Sequence, residues 1–434
     1  MLMPGNNFET VTLPNGIRVH TLSTRRFKTV SVRLFIHQEL TREKAALTAL
    51  LPMVLRRGTE SSPTAQEISR SLEGLYGAEI DTGVMKVGEC HVIFIHLDVP
   101  GSQYLSDRPE SLLDRGLELL SEMVRRPALE NGLFRQDYFQ QERENLRRLQ
   151  MSLINDKVQY AVIRCIEEMC RDERYGVSRY GKPQDLEALD VAGLTEHFRQ
   201  TVSSYPMDIY LVGDISPEDA AKMARHLFDF PRQGSREIKP TVLIHEVNSA
   251  RQVVEKHDIN QAKLALGYRT GRSRRDPGFW ALAFCDGILG GFPHSKLFMN
   301  VREKAGLAYY AFSKLEATKG LMTLSCGIDF EDYTRALAIM NEQVEHMKRG
   351  VLSQEEMDYT LRGMVGRIKA AEDSPTGTIL RQLEGNINGV DESLEDVVRQ
   401  LEGITRDDVV EAAQGLRLDT TYLLTKDDAQ EVRQ

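Results

Sequence analysis

Residues 288–312 read ILGGFPHSKLFMNVREKAGLAYYAF, and the way this run divides into elements decides the fold. Gly290 and Gly291 end one helix. A short second helix follows, with Leu297, Phe298 and Val301 at the spacing that buries one face. Gly306 stops it as a left-handed cap, and the aromatic run from Leu307 to Phe312 reads as a strand. Arg302, on the last helical turn, and Tyr309, near the start of the strand, are therefore separated by one tight turn and can face one cleft. A guanidinium that keeps its charge and a phenol that donates a hydrogen bond suit an oxygen that becomes negative when a carbonyl is attacked. The plainer reading makes Arg302 a solvated helix charge paired with a nearby acid, and Tyr309 a core aromatic.

Outward from this run the chain repeats itself. Strands at 253–257 and 263–268 and an apolar helix at 278–289 precede it; a strand at 321–328 and helices at 333–348 and 353–371 follow. The first half has the same order. A hairpin turns at Asn15-Gly16 in ETVTLPNGIRVHTL, then come a strand at 30–36, an apolar helix at 42–57 closed by Gly58, and a second helix after Ser62-Pro63. Strands at 79–85 and 91–99 follow, with helices at 109–125, 134–170 (broken near Asn155-Asp156), 191–202 and 217–228, and a strand at 208–212. FPRQGSREIKP, residues 230–240, is the one stretch rich in proline, glycine and charge between the halves. The expected organisation is an N-terminal domain at 1–229, a linker at 230–246 and a C-terminal domain at 247–434. A repeat of this size means duplicated domains. Hairpin-joined strands followed by runs of helices give an α+β class, each domain a mainly antiparallel sheet covered by helices.

The composition excludes several classes of function. A net charge of −9 over 434 residues argues against a nucleic-acid surface, and RTGRSRRD, with Arg269, Arg272, Arg274 and Arg275, reads as a solvated loop. No apolar run reaches membrane length, and the N-terminus does not read as a secretory signal. The five cysteines lack paired spacing, so a reduced, cytoplasmic protein is the expectation. Among the ten histidines, His91 and His96 point to opposite faces of a strand, and His20 and His37 stand alone.

In the opening run, Ser295, Leu297, Phe298, Arg302, Glu303, Gly306, Leu307, Ala308 and Tyr309 fall in step with G-G-x-x-S-x-L-F-x-x-x-R-E-x-x-G-L-A-Y, and Gly290-Gly291 supplies its glycine pair one residue further upstream. The chain thereby resembles the insulinase/pitrilysin peptidases, which include the mitochondrial processing peptidases, over nearly its whole length. The resemblance implies two domains closing as a clam shell, and substrate-binding roles for Arg302 and Tyr309 near the scissile bond. It also implies an inverted zinc motif, His-x-x-Glu-His, on the first apolar helix, where two imidazoles hold zinc and the glutamate activates water. Anchored on Arg57-Gly58-Thr59, the motif falls on Ala49-Leu50-Leu51-Pro52-Met53. Alanine and methionine stand for the histidines and proline for the base. Anchored on Glu142-Arg143, the third ligand falls on Leu149. Where active members usually have an asparagine-alanine pair on the substrate-facing strand, this chain has Asp81-Thr82.

The resemblance thus implies no catalytic residue and no metal in this chain. It points to the non-zinc subunit of a heterodimeric peptidase, with zinc in the partner, peptide as substrate, and Arg302 and Tyr309 acting in trans; self-association is the other pairing. The alternative is an inactive peptide- or protein-binding scaffold. A similarity to metal-less bacterial members associated with modification of translation elongation factor P belongs to that alternative.

Overall fold

The computed structural model describes residues 8–106 and 112–427. The first residues of the expected helix at 109–125 lie outside them. The chain forms two compact units, and neither is a continuous stretch of sequence. Unit one comprises Met1–Met151, Val177–Pro240 and Asp373–Leu383; unit two comprises Ser152–Gly176, Thr241–Glu372 and Glu384–Gln434. The connector at 230–246 carries no helix or strand and holds one of the five points where the chain passes between units.

In unit one, β1 (Glu9–Thr12), β2 (Arg18–Ser23), β3 (Thr29–Glu39), β4 (Glu79–Val87) and β5 (Cys90–Pro100) share a sheet with a later strand; β6 (Leu129–Glu130) and β7 (Leu133–Phe134) form a small hairpin, and β8 (Met207–Gly213) completes the sheet. The order is β1-β2-β8-β3-β5-β4, with β2 and β8 parallel and the other neighbours antiparallel. The helices of the first half are α1 (Arg42–Leu55), α2 (Ala65–Glu73), α3 (Leu112–Arg125), α4 (Gln136–Ser152), α5 (Lys157–Met169), α6 (Val191–Ser204) and α7 (Pro217–Phe228). Alternation along β3, β5 and β8 sends Val32, Leu34, Ile36, Ile93, Ile95, Leu97, Ile209 and Leu211 into one core. Against that face pack α1, α3 and α7.

The expected break in the long helix is real. Asp156 caps α5, its Oδ1 accepting from the backbone N–H groups of Val158 and Gln159. Helix α5 belongs to unit two, where it lies on one face of a second sheet. That sheet contains β9 (Arg251–His257), β10 (Ala262–Arg269), β11 (Ala308–Glu316), β12 (Leu321–Ile328) and β13 (Arg417–Lys426), in the order β11-β12-β10-β13-β9. The helices of the second half are α8 (Phe279–Asp286), α9 (Tyr333–Lys348), α10 (Gln354–Glu372), α11 (Pro375–Asn388), α12 (Leu394–Glu402) and α13 (Arg406–Gln414).

Read from β9, the second sheet reproduces β2-β8-β3-β5-β4 strand for strand, including one parallel pair at the same place. This is the expected duplication. Strand β13, beside β9, and helices α11 to α13 have no counterpart in the sequence reading.

Two expectations about charged residues are overturned. Of the arginines of RTGRSRRD, Arg275 is exposed on a loop as expected, but Arg269, Arg272 and Arg274 are not solvated. Arg269 is 3 % exposed and holds Asp419 and Glu173, each at 2.7 Å; Arg272 pairs with Glu411, Arg274 with Glu392, and Arg275 donates to the Ile387 carbonyl. A strand centred in a sheet has no room for a solvated guanidinium, so Arg269 is neutralised inside. Nor do His20 and His37 stand alone. Strand pairing places both beside Asp208, which is fully buried and accepts from His20 Nε2 at 3.0 Å, His37 Nε2 at 2.7 Å and the Arg18 fork at 2.6 and 2.7 Å.

Candidate functional site

The residues aligned with the zinc motif sit in unit one. Helix α1 runs unbroken through Pro52, although the proline ring leaves the Thr48 carbonyl without its usual helical donor. The Thr82 hydroxyl, on edge strand β4, donates to the Pro52 carbonyl at 3.0 Å and ties the strand to the helix. Ala49 and Pro52 are buried, Met53 packs half-buried against the core, and Leu149 lies on α4, 36 % exposed. The anchors of the alignment do meet: Arg57 Nε donates to Glu142 Oε1 at 2.5 Å. Two helical turns beyond Glu142, however, stands leucine.

Zinc requires neutral imidazole, thiolate or carboxylate donors. Alanine, proline, methionine and leucine do not supply that set, and no group of three or more histidines, cysteines or acids among the described residues could hold a metal ion. The residues present do not fit a catalytic zinc.

Arg302 and Tyr309 lie in unit two, on consecutive elements. The helix expected before Gly306 is present, with Leu297 and Val301 fully buried, but its last part, Phe298–Lys304, is π-helical. Over so few residues the apolar spacing does not distinguish that winding from an α-helix. Gly306 adopts φ +66°, and the backbone N–H groups of Gly306 and Leu307 close the turn on the Arg302 and Val301 carbonyls. The Arg302 guanidinium lies 4.5 Å from the centroid of the Phe298 ring and 3.4 Å from Glu303.

Tyr309 is 78 % exposed, so the core-aromatic reading fails for it. The cause lies in register. Strand β11 is the edge of its sheet, and Ala308 faces Ile328 while Ala311 faces Cys326, leaving one extra residue on β11. Such a bulge re-aims side chains. The Tyr309 hydroxyl has no hydrogen-bond partner among the described residues.

Gly290 holds this strand in place. A Cβ there would stand 2.1 Å from the Ser313 backbone nitrogen, so only glycine lets the turn at Gly287–Gly291 lie against β11. Next to it, burial pushes the Asp286 carboxyl up to about 6, and the Ser313 hydroxyl donates to it at 2.5 Å. Gly290→Ala is expected to cost about 1–3 kcal/mol, because the obstacle is backbone rather than a movable side chain. Denaturant unfolding measures this; an unchanged midpoint would refute the close-approach argument.

Sequence reasoning missed two polar groups. Asp208 and its histidines are visible as same-face positions once β2, β3 and β8 are paired. Lys263 is the one charge besides the terminal Arg269 in the otherwise apolar strand AKLALGYR, and it is only 9 % exposed.

Residues 189–364 match the family described as Peptidase M16 inactive domain. The chain is 34 % identical to the probable inactive metalloprotease YmfF of Bacillus subtilis, over 94 % of this chain and 96 % of that protein. A conserved protein from Enterococcus faecalis has the same fold, with a TM-score of 0.90 at 26 % identity over 97 % of this chain and 99 % of that one. A structure from Pseudomonas fluorescens described as a peptidase M16 inactive domain gives a TM-score of 0.78 at 19 % identity, covering 97 % of this chain and 98 % of that one.

The chain belongs to the peptidase M16 family. Within it, the protein is a metalloprotease homologue that lacks the zinc motif and is similar to proteins described as inactive. No helix among the described residues is long and apolar enough to cross a membrane.

Proposed function

We propose that the protein is the non-zinc subunit of a two-chain insulinase-type peptidase, in which Arg302 and Tyr309 grip the substrate carbonyl beside a partner's zinc. The observation that carries this is Tyr309: a phenol pushed out of the sheet by a bulge, 78 % exposed and unbonded, one turn from a half-exposed arginine. A tyrosine with only a packing role would be drawn into the core. Preorganised donors of this kind act on charge that develops in the transition state.

The test is reconstitution with a zinc-bearing family member from the same host. Arg302→Ala combined with Tyr309→Phe is expected to lower kcat/KM for peptide cleavage by about 100-fold. Cleavage at the native rate would sink the reading.

A second reading is favoured by the first unit, where Ala49, Pro52, Met53 and Leu149 leave no metal site while Asp81 and Thr82 alter the edge strand. On that reading the chain binds peptide or protein without cutting it. Gentle purification from the host separates the two: a zinc-bearing second chain supports the first, and a chain that emerges alone and metal-free supports the second.

A further inference from the structure

The two faces of the second sheet differ. One carries Leu264, Leu266, Met322, Leu324 and Ile328 into the core of unit two. On the other, Ala265, Leu321, Tyr422 and Leu424 pack with the buried residues of α5. On this second face stands Lys263, 9 % exposed, whose ammonium makes one hydrogen bond, to Gln261 Oε1 at 2.7 Å. No carboxylate among the described residues pairs with it.

The neighbouring position on β12 is Gly327. A Cβ there would meet Lys263 Nζ at 3.2 Å and the edge of the Tyr310 ring at 2.6 Å, so both side chains lie over the bare glycine. Lys263 Nζ is 5.6 Å from the centroid of that ring. Ser325, two residues along the same face, is fully buried. Its hydroxyl and that of Tyr310 lie beside each other, and neither bonds to any other group among the described residues.

An ammonium with two unused N–H bonds thus lies over a ring whose hydroxyl sits beside that of Ser325, with no further partner for either hydroxyl. Burying an ammonium without a counter-charge is costly, and burial lowers the Lys263 pKa accordingly. A single positive charge with two hydroxyls on the same sheet face matches a monoanion with two acceptor oxygens; a phosphate dianion would leave charge uncompensated. We propose that Lys263, Tyr310 and Ser325 form a carboxylate-binding subsite on the second sheet, occupied by a peptide carboxylate. That the ligand is a carboxylate rests on the donors alone; that a peptide carries it rests on the peptide-binding reading above.

Calorimetric titration of the full chain at neutral pH tests this with three probes: N-acetyl-tetra-alanine as free acid, the same peptide as its amide, and an amidated peptide with one internal glutamate. The free acid is expected to bind at least about tenfold more tightly than the amide, and Lys263→Met to erase the difference. Ser325→Ala and Tyr310→Phe should each weaken the acid a few-fold and leave the amide unchanged. They also serve if Lys263→Met fails to fold, although removing an uncompensated charge is expected to leave its melting temperature no lower. Tight binding of the glutamate peptide supports the subsite and assigns it to a side chain rather than a terminus. Equal affinity for acid and amide overturns the subsite while leaving peptide binding intact, and so does a preference that survives in Lys263→Met. No binding of the free acid at millimolar concentration also overturns it, whereas the peptide-binding reading is decided by the reconstitution assay.

Discussion

Glu173→Ala is expected to destabilise the second unit by about 3–5 kcal/mol, the usual result of stripping one partner from a buried ion cluster. Glu173 joins Arg269 at 2.7 Å and Lys319 at 2.6 Å; Arg269 continues to Asp419 at 2.7 Å, and Lys319 is fully buried with its ammonium also on the Val242 carbonyl at 2.6 Å. Two cations and two anions balance. Without Glu173, one positive charge is stranded where water does not reach, and the tie from the connector to the sheet is weakened at Val242. At roughly 2–4 °C per kcal/mol for a unit of this size, the melting temperature should fall by some 6–20 °C. The one tryptophan of the chain, Trp280, lies in unit two and reports that transition by fluorescence. A shift within 2 °C or so would show that the cluster relaxes into solvent without cost.

Asp208→Ala is expected to cost the first unit about 3 kcal/mol by the same argument, since His20 and His37 are buried around the carboxylate while Arg18 can swing toward solvent. The cluster also sets a pH dependence. Burial opposes charge on His37, but Asp208 and the nearby Cys90 sulfur outweigh it and lift the imidazole to about 9. A base whose folded pKa is raised stabilises fully below its unfolded value of about 6.5, and that contribution fades as pH climbs through about 9. Asp208 is held well below the usual carboxylate range, against burial, by His20, His37 and Arg18, so its contribution is present above about pH 4 and fades as pH falls further. Stability of unit one should therefore be highest between about pH 4 and 6.5 and decline toward pH 9. Circular dichroism melts from pH 5 to 10 measure the decline, and Asp208→Asn should flatten it. A native profile flat across that range would remove the charged His37 from the account.

The glycines and the alternating strands were the legible part of the fold. Asn15-Gly16 and Gly306 announce turns because their φ values, +85° at Gly16 and +66° at Gly306, suit glycine. Strands β3, β5, β10 and β12 announce themselves by apolar runs. Strand β13 does not: Asp419, Thr420 and Thr421 interrupt it, all buried, and Asp419 makes sense only beside Arg269, about 150 residues earlier. A partner so distant leaves no local trace.

At the site, local spacing could place Arg302 and Tyr309 across one turn, but not the bulge that exposes Tyr309, because register depends on strand β12. The absent metal ligands were visible as residue types only once the resemblance fixed where to look. The buried lysine and the Asp208 network are matters of pairing between strands, which periodicity within one strand does not reveal.

The interleaving of the two units has a consequence for synthesis. The segment that completes the first unit, Asp373–Leu383, leaves the ribosome only after all but the last fifty or so residues have been made, and a piece of the second unit, Ser152–Gly176, emerges long before the sheet it covers. The first unit cannot close while the chain is still half translated. Arg33 on β3, reaching Thr376 at 2.6 Å, and Arg26 in the turn before it, reaching Asp373 at 2.8 Å, must wait for those contacts. Duplication would ordinarily let each copy fold as it appears; here the exchange of short segments ties both copies to the same late moment.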